Sequence, residues 1–302
     1  MNQVVEFIEA ERAEHPISQM CKVLNVSRAA FYKTCERMKN PSKRKASDAA
    51  LSQEIKLVHQ NSKGCYGARR IYKALKNMNR KCSKKRVERL MRENGIVGKH
   101  RRKKTITTIP RDAAGQDLIQ RDFDSVSEPN RRWVSDITYI STWAGFVYLC
   151  VFIDLATRKV VGWALDDNME TSLVIRALSN AIERQRPRPG LMVHSDQGAQ
   201  YTSRRFRSFL DNHNFLQSLS RRGQCWDNAV CESWFGTLKN ELIEERSWRN
   251  LEHVRSEILP YIEIFYNRQR LHSTLSYLTP QQCEDRFIRQ NESEGDCTSL
   301  VS

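Results

Sequence analysis

The sequence lacks the features that mark membrane, secreted and zinc-binding proteins. No part of it approaches the roughly 20 consecutive apolar residues that a membrane-spanning helix needs. The N-terminus, MNQVVEFIEAERAEH, has mixed charge and no apolar core of the kind that a signal peptide carries. The nine cysteines are scattered and none forms a Cys-x-x-Cys pair, which argues against a zinc ribbon or a disulfide framework. We therefore expect a cytoplasmic protein with reduced thiols and no membrane partner.

Charge is abundant but unevenly distributed along the chain. Residues 1–110 contain 27 lysines and arginines against 9 acidic residues, whereas residues 111–302 contain 23 against 26. The net charge of +15 therefore comes from the front of the chain. Clustered basic side chains gain affinity for nucleic acid because they release counterions from its phosphates. The distribution favours DNA as a partner, and a basic surface that serves only solubility is the alternative.

The length of 302 residues suggests two or three domains, and the first candidate is the region 1–42. Apolar side chains within residues 17–24 fit one face of a short helix, and Ser27 is a good N-cap for a second helix. Two short helices around a tight turn are typical of a helix-turn-helix, in which the second helix would place Arg28 and Lys33 near DNA. An ordinary helical hairpin explains the same pattern equally well.

A second, helical DNA-binding domain is predicted over residues 48–100, after a stretch, NPSKRKAS, that reads as a linker. The stretches GCYGARRIYKALKN and SKKRVERLMRENGI both have helical periodicity, with Ser83 as N-cap and Gly95 as stop of the second helix. The run KHRRKK opens a basic linker over residues 101–122, which could track a DNA backbone or could simply be solvated. The basic side chains predicted to contact DNA from these helices are Arg69, Arg70, Lys84, Lys85 and Arg86.

The rest of the chain, residues 123–285, has the rhythm of an α/β domain. The runs RWVSDITYI, FVYLCVFIDLA and KVVGWAL predict three hairpin-linked strands, and LMVHS predicts a fourth strand after a helix. This order predicts an RNase H-like catalytic core with a mixed five-stranded sheet flanked by helices, preceded by all-α helix-turn-helix regions. Residues 286–302 are predicted to form a disordered tail. Helices are expected near residues 171–186, 203–212, 229–241 and 251–267.

Three acidic residues stand where this pattern could bring them together. Asp136 lies within the first strand, where an acid is costly to bury unless it is paired or binds a metal ion. Asp196 directly follows the fourth strand, and the carboxyl ends of strands favour ligand sites. Glu232 falls on a helix, and Lys239 follows on the same helix face two turns later. Carboxylates are the ligands that pairs of Mg²⁺ or Mn²⁺ ions use in phosphodiester chemistry.

Each acid alone also has a structural explanation. Asp136 could be an edge-strand charge, Asp196 a turn residue with Gly198, and Glu232 an exposed helix acid. Among other candidates, Asp154 fits a strand end and His194 fits a packed or hydrogen-bonded position. The three acids become a site only in combination.

The combination resembles a known family. Between Asp196 and Glu232 lie 35 residues, the spacing of the Asp-Asp-35-Glu integrases and transposases. More closely, the chain resembles the second-frame (OrfB) product of insertion sequence 3 family transposases over roughly residues 60–285. The matching stretches are Pro129-Asn130, Trp133 to Ile140, His194 to Gly198, Asp227-Asn228, Glu232-Ser233, Lys239, Tyr266-Asn267, Arg270, His272 and Pro280, with Tyr66-Gly67, Arg69 to Ile71, Lys85 to Val87 and Leu90-Met91 in the helical domain.

The resemblance implies a function and its partners. It implies a DNA transposase that cleaves the ends of an insertion element and joins the freed 3′-OH to target DNA, with Asp136, Asp196 and Glu232 holding two Mg²⁺ or Mn²⁺ ions and Lys239 contacting DNA. It also implies double-stranded DNA as partner, at least a dimer, a first-frame (OrfA) protein, and a place in the bacterial cytoplasm near the nucleoid. A silent DNA-binding regulator and an RNase H-like nuclease are the alternatives.

Overall fold

The computed structural model describes residues 2–39, 42–99, 128–220 and 229–298. The basic linker predicted over residues 101–122 lies outside these ranges, as do Asp227 and Asn228. Within the described ranges, no helix has the length and apolar character needed to cross a membrane.

Three short helices form the N-terminal region and pack around Phe31, which is fully buried with Ile8. Asn25 adopts a φ of 53° between the second and third helices, and the Ala30 amide donates to the Ser27 side chain at 3.2 Å. The predicted turn and N-cap are thus confirmed. The helices are α1 (Asn2–Ala10), α2 (Ile17–Val23) and α3 (Arg28–Lys39).

Three further helices form the helical region, a name used below for residues 43–99. The Arg86 amide donates to the Ser83 side chain at 3.3 Å, and Gly95 ends the last helix with a φ of 64°. The first of these helices begins at Lys43, inside a stretch that reads as a linker in the sequence, because Ser42 caps it by accepting from the Lys45 amide. The helices are α4 (Lys43–Asn61), α5 (Ala68–Asn77) and α6 (Lys84–Glu93).

A five-stranded mixed sheet forms the centre of the remaining chain, in the order β3-β2-β1-β4-β5. The first three strands are antiparallel, whereas β4 runs parallel to β1 and β5 runs parallel to β4. The predicted RNase H-like topology, with hairpin-linked strands followed by helix-connected ones, is therefore present. The strands are β1 (Arg132–Thr142), β2 (Gly145–Asp154), β3 (Val160–Asp166), β4 (Met192–Ser195) and β5 (Leu216–Leu219).

Helices cover both faces of the sheet, as the alternation along β1 requires. Trp133 faces one layer and Val134 faces the other. The Trp133 face packs against α7 (Thr171–Gln185), α8 (Ala199–Thr202) and α9 (Arg204–Asn212). The Val134 face shares one apolar core with α10 (Ala229–Leu238), α11 (Leu251–Pro260) and the helical region.

The last helices depart from the sequence prediction in two ways. Both α10 and α11 continue into π-helical turns, at Lys239–Ile243 and Tyr261–Tyr266. The disordered tail predicted from residue 286 is wrong over residues 286–298, because α12 spans Pro280–Thr298. The start of this helix is fixed to the core through an ion pair between Lys159 and Glu284 at 2.5 Å.

Candidate active site

Two of the three acids lie where strands β1 and β4 part. The last paired residues of these parallel strands are Val134 and His194, so Asp136 and Asp196 each stand two residues beyond the final pair. Because side chains alternate along a strand, Asp136 projects to the same face as Val134. Strand β1 continues to Thr142, whereas β4 ends at Ser195. Asp136 and Asp196 therefore lie on neighbouring stretches of backbone where β1 and β4 separate, which we call the fork of the sheet.

Helix α10 brings the third acid to this face. Trp234 and Leu238 bury the inner side of the helix in the same apolar core as Val134, while Glu232 in its first turn is exposed. Helix α10 continues without a break into a π-helical turn, and Lys239 is the first residue of that turn. The Lys239 ammonium lies 5.8 Å from the centre of the Tyr139 ring on β1. A cation is thus held beside the strand that carries Asp136.

The charges of Asp196, Glu232 and Lys239 all act on Asp136. Burial, together with the charges of Asp196 and Glu232, raises the pKa of Asp136 to about 7. A hydrogen bond from the Ile137 amide, at 2.7 Å, and the charge of Lys239 act in the opposite direction. A half-buried carboxyl close to two other carboxylates is unfavourable as an anion unless a cation compensates it.

The layer beneath the strands supports the fork. The Ser135 hydroxyl lies 2.8 Å from the Tyr201 hydroxyl, and both groups are buried below the sheet. Asp196 is held from its own loop, since its carboxylate accepts from the Gly198 amide at 3.0 Å. Backbone and buried side chains, rather than exposed contacts, therefore fix where the two aspartates start.

The donor chemistry of the acids fits a hard divalent cation, which prefers carboxylate oxygens. Within the described residues, no three acidic, histidine or cysteine side chains are close enough to hold a metal ion as they stand. Asp196 and Glu232 are both exposed, so a cation can reach their carboxylates from solvent. The three acids thus match a divalent cation in charge, donor type and position, and they do not form a complete set of metal ligands as they stand.

The rival candidates from the sequence have structural roles. Asp154 is buried and accepts from the Asn130 amide and from both polar groups of Thr157, as expected of a strand-end residue. His194 is buried and bonded to Ser218 at 2.8 Å, in agreement with the packed reading. His272 bonds to Thr274, and burial together with nearby arginines lowers its pKa to about 3, so this imidazole is neutral.

The predicted DNA contacts fall into two groups. Five side chains are exposed: Arg28 and Lys33 on α3, Arg69 on α5, and Lys84 and Lys85 on α6. Two others are engaged within the protein. Arg70 is half-buried with its guanidinium 4.0 Å from Glu241, and Arg86 forms an ion pair with Asp48.

The structure adds basic residues that the sequence reading did not single out. A pocket of about 500 Å³ at the start of α6 is lined by Arg44 and Arg89 together with Ser83, Lys85 and Arg86. The signal for Arg44 was its place in the basic stretch before residue 48, which the sequence reading treated as linker. Arg44 on α4 and Lys85 on α6 give this pocket a surface suited to a phosphate backbone, whereas Arg86 and Arg89 both pair with Asp48.

Comparisons with known proteins agree with this layout. An HTH-like domain model matches residues 46–104, and two integrase core domain models match residues 126–225 and 214–280. The transposase for insertion sequence element IS904 of Lactococcus lactis is 40% identical over 82% of this chain and 98% of its own. Transposase InsF for insertion sequence IS3A of Escherichia coli is 36% identical over 93% of this chain and 98% of its own. The chain belongs to the insertion sequence 3 family of transposases.

This transposase is a polynucleotidyl transferase, and its HTH-like match implies DNA binding. The two integrase core matches together include all three acids, since Asp136 and Asp196 fall in the first and Glu232 in the second. The HTH-like match covers the helical region and does not include α1 to α3. The HTLV-2 integrase catalytic core domain, solved in complex with magnesium, is 19% identical over 52% of this chain and 97% of its own, with a TM-score of 0.41.

Proposed function

We propose that this transposase cleaves the ends of an insertion element and transfers the freed 3′-OH to target DNA, using Asp136, Asp196 and Glu232 as its catalytic acids. The observation that carries the proposal is the shared electrostatic site. The pKa of Asp136, raised to about 7, responds to Asp196, Glu232 and Lys239 together.

The three carboxylates are the residues that would hold the metal ions, and two Mg²⁺ or Mn²⁺ ions fit the charge they provide. When bound, such ions supply an activated attacking oxygen and neutralise charge on the leaving oxygen. Asp136, on a strand that pairs with both β2 and β4, would set the position of the cluster. Asp196 and Glu232 are exposed and close on it from the loop after β4 and from α10.

Lys239 serves the DNA rather than the metals in this account. Its ammonium lies 5.8 Å from the centre of the Tyr139 ring and its charge lowers the pKa of Asp136, so a phosphate of the DNA end is proposed to arrive beside it. A lysine is a compact positive charge that suits a phosphate oxygen. Lys239 would thus hold the scissile strand over the acids without taking part in proton transfer.

The exposed basic residues of the helical part are proposed to hold the duplex. Lys84 and Lys85 on α6 and Arg69 on α5, all exposed, would contact phosphates, and the pocket that Lys85 borders would add to this surface. Arg28 and Lys33 on α3 would add a second contact from the N-terminal helices. Contacts of this kind set affinity and its dependence on salt, not sequence preference.

The partners follow from the reaction. Two element ends must be cut and joined, so we propose at least a dimer in the active complex. A first-frame protein that recognises the ends is proposed as a further partner, and the bacterial cytoplasm, next to the nucleoid, is the place where DNA is available.

The proposal is tested by strand transfer with a labelled duplex that carries the element's own end, in Mg²⁺ or Mn²⁺. Wild type should yield joined products, and Glu232→Gln should yield none while binding the end normally. Glu252→Gln, an exposed acid on α11, is the matched control and should join ends like wild type. If wild type binds DNA yet joins nothing, even with the first-frame protein added, a DNA-binding regulator replaces the transposase. Cleavage of RNA/DNA hybrids in preference to duplex DNA would instead indicate a nuclease.

A further inference from the structure

A buried ion pair lies where the helical region meets the catalytic domain, the name used here for the core predicted over residues 123–285. The Arg270 guanidinium donates from Nε to both oxygens of Glu241, at 3.0 and 2.9 Å, and from Nη2 to Oε1 at 2.8 Å. The Tyr261 hydroxyl donates to Glu241 Oε2 at 2.9 Å. Both charged side chains are only 5% exposed. A pair so completely desolvated is strongly destabilised when either partner is removed.

The helical region takes part in this cluster from the other side. Arg70 on α5 approaches Glu241 Oε1 at 4.0 Å. The Tyr66 hydroxyl donates to the carbonyl of Gln269 at 3.1 Å and accepts from the Leu271 amide at 2.7 Å. These contacts join residues that lie about two hundred positions apart in sequence, 203 and 205 for the two Tyr66 bonds. We use the term interlock for Tyr66, Arg70, Glu241 and Arg270.

Further contacts around the interlock pack the helical region tightly against the catalytic domain. Lys99 donates to the Glu241 carbonyl at 3.0 Å and pairs with Glu245 at 2.7 Å. A Cβ at Gly98 would meet the Gly67 amide at 2.4 Å, so the chain leaving the helical region passes directly against the start of α5. Apolar residues of α4, α5 and α6 share one continuous core with α10 and α11.

The position of Glu241 in the chain connects the interlock to Glu232 and Lys239. Glu241 stands in the π-helical turn that continues α10, two residues after Lys239 and nine after Glu232. A helix with a fixed end has a fixed rotation and a fixed axial position, because its backbone hydrogen bonds allow little stretch. Anchoring Glu241 therefore determines where Lys239 and Glu232 point.

We propose that the interlock is a positioning device, which sets the distance between the DNA end held by the helical region and the acids that cut it. Arg70 serves this contact rather than a DNA phosphate. The inference rests on the proposed function, because it assigns the interlock a role in where the strand is cut. Tyr66, Arg70, Glu241 and Arg270 act through Glu232 and Lys239 and touch no substrate.

The test compares Tyr66→Phe with Tyr266→Phe in the full chain. The Tyr266 hydroxyl also donates to a backbone carbonyl, that of Arg158 at 3.1 Å, but this bond stays within the catalytic domain. On a duplex carrying the element's end, Tyr66→Phe should lower the rate of cleavage about tenfold and spread the cuts over neighbouring positions, at unchanged affinity for the end. Tyr266→Phe should cut at the wild-type position and rate. A variant Tyr66→Phe that cuts at the wild-type position and rate overturns the proposal.

Hydrogen exchange of the same proteins tests the role of the interlock independently of catalysis. Tyr66→Phe should speed amide exchange both in α5 and in the π-helical turn Lys239–Ile243, while Tyr266→Phe should leave α5 unchanged. Faster exchange confined to α5 would show that the two sides are not coupled, and would overturn the proposal. A wild-type protein that makes no cut would count against the proposed function alone, since the exchange result still decides the coupling.

The reassignment of Arg70 has its own measurement, the dependence of DNA affinity on salt. Each phosphate contact adds about 0.9 to the slope of log affinity against log salt. Lys85→Gln should reduce this slope by about one, whereas Arg70→Gln should leave it unchanged while cleavage becomes slower and less accurate. A slope reduced equally by Arg70→Gln would return Arg70 to the DNA-binding surface and remove it from the interlock.

Discussion

At the scale of single residues, Asp136 has the most unusual environment of the three acids. Burial and two neighbouring carboxylates raise its pKa to about 7, far above the ordinary value of 3.8 for an aspartate. Its partners Asp196 and Glu232 are exposed. Near neutral pH, a divalent cation would therefore have to replace a proton at Asp136, whereas the other two acids are open to solvent.

Metal affinity should accordingly depend on pH around neutrality. We predict that Mn²⁺ affinity, measured by calorimetry on the full chain, falls about tenfold per pH unit below pH 7, with release of one proton on binding. Above pH 8 the affinity should level off, because Asp136 is already ionised. The control is Glu252→Gln, which should follow the wild-type curve. An affinity that is constant from pH 6 to pH 8 would contradict the assigned role of Asp136.

The same shift predicts an effect on metal-free stability. An acid with a raised pKa binds its proton more tightly in the folded state than in the unfolded state, so raising the pH from about 4 to about 7 destabilises the fold. Asp136→Asn removes this contribution. The difference in Tm between Asp136→Asn and wild type should therefore grow over this pH range and level off above it. A difference that does not change with pH would show that Asp136 is not perturbed.

At the scale of secondary structure, the sequence is informative where local pattern decides. Alternating β-branched and aromatic residues predicted β1, β2 and β3, and the caps at Ser27 and Ser83 predicted the starts of α3 and α6. The π-helical turn after α11 was missed because it depends on Pro260, which lacks an amide hydrogen and disturbs the α-helical bonding that follows.

Long-range contacts explain what the sequence could not predict. Nothing near Tyr66 or Arg70 indicates partners beyond residue 240, so Arg70 reads as a surface cation until the fold places it beside Glu241. The helix over residues 286–298 was missed for a similar reason, since its anchor to Lys159 lies far away in sequence. The three acids are proposed as a site because their spacing matches a family, not because local pattern could bring them together.

A close approach between β3 and α7 gives a prediction for these elements. A Cβ at Gly162 would lie 2.4 Å from the Ala177 carbonyl and 2.5 Å from the Ala181 Cβ, neither of which can rotate away. Gly162→Ala should therefore lower the free energy of unfolding by about 1–3 kcal/mol. Gly67→Ala is the matched control, because a Cβ there meets nothing within 4 Å, and it should change stability by only a few tenths of a kcal/mol. Denaturant titration distinguishes them, and equal costs would contradict the packing.

At the scale of the whole molecule, the described part of one chain offers one proposed cluster of catalytic acids, whereas an insertion element has two ends. We therefore predict that the complex with both ends contains at least two chains. Sedimentation or light scattering of the protein with end duplexes should give a mass of two or more chains for two duplexes. A single chain carrying both ends would contradict this assembly.

The most direct measurement is strand transfer by Asp136→Asn, Asp196→Asn and Glu232→Gln, alone and in pairs, with end binding measured in parallel. Acids that act as one metal-holding unit are strongly non-additive. Each single variant should lose joined product by at least about a thousandfold while still binding the end, and double variants should be no worse than the single ones. If any one of the three acids can be replaced with less than about a tenfold loss, or if the losses multiply, the three do not form one catalytic site.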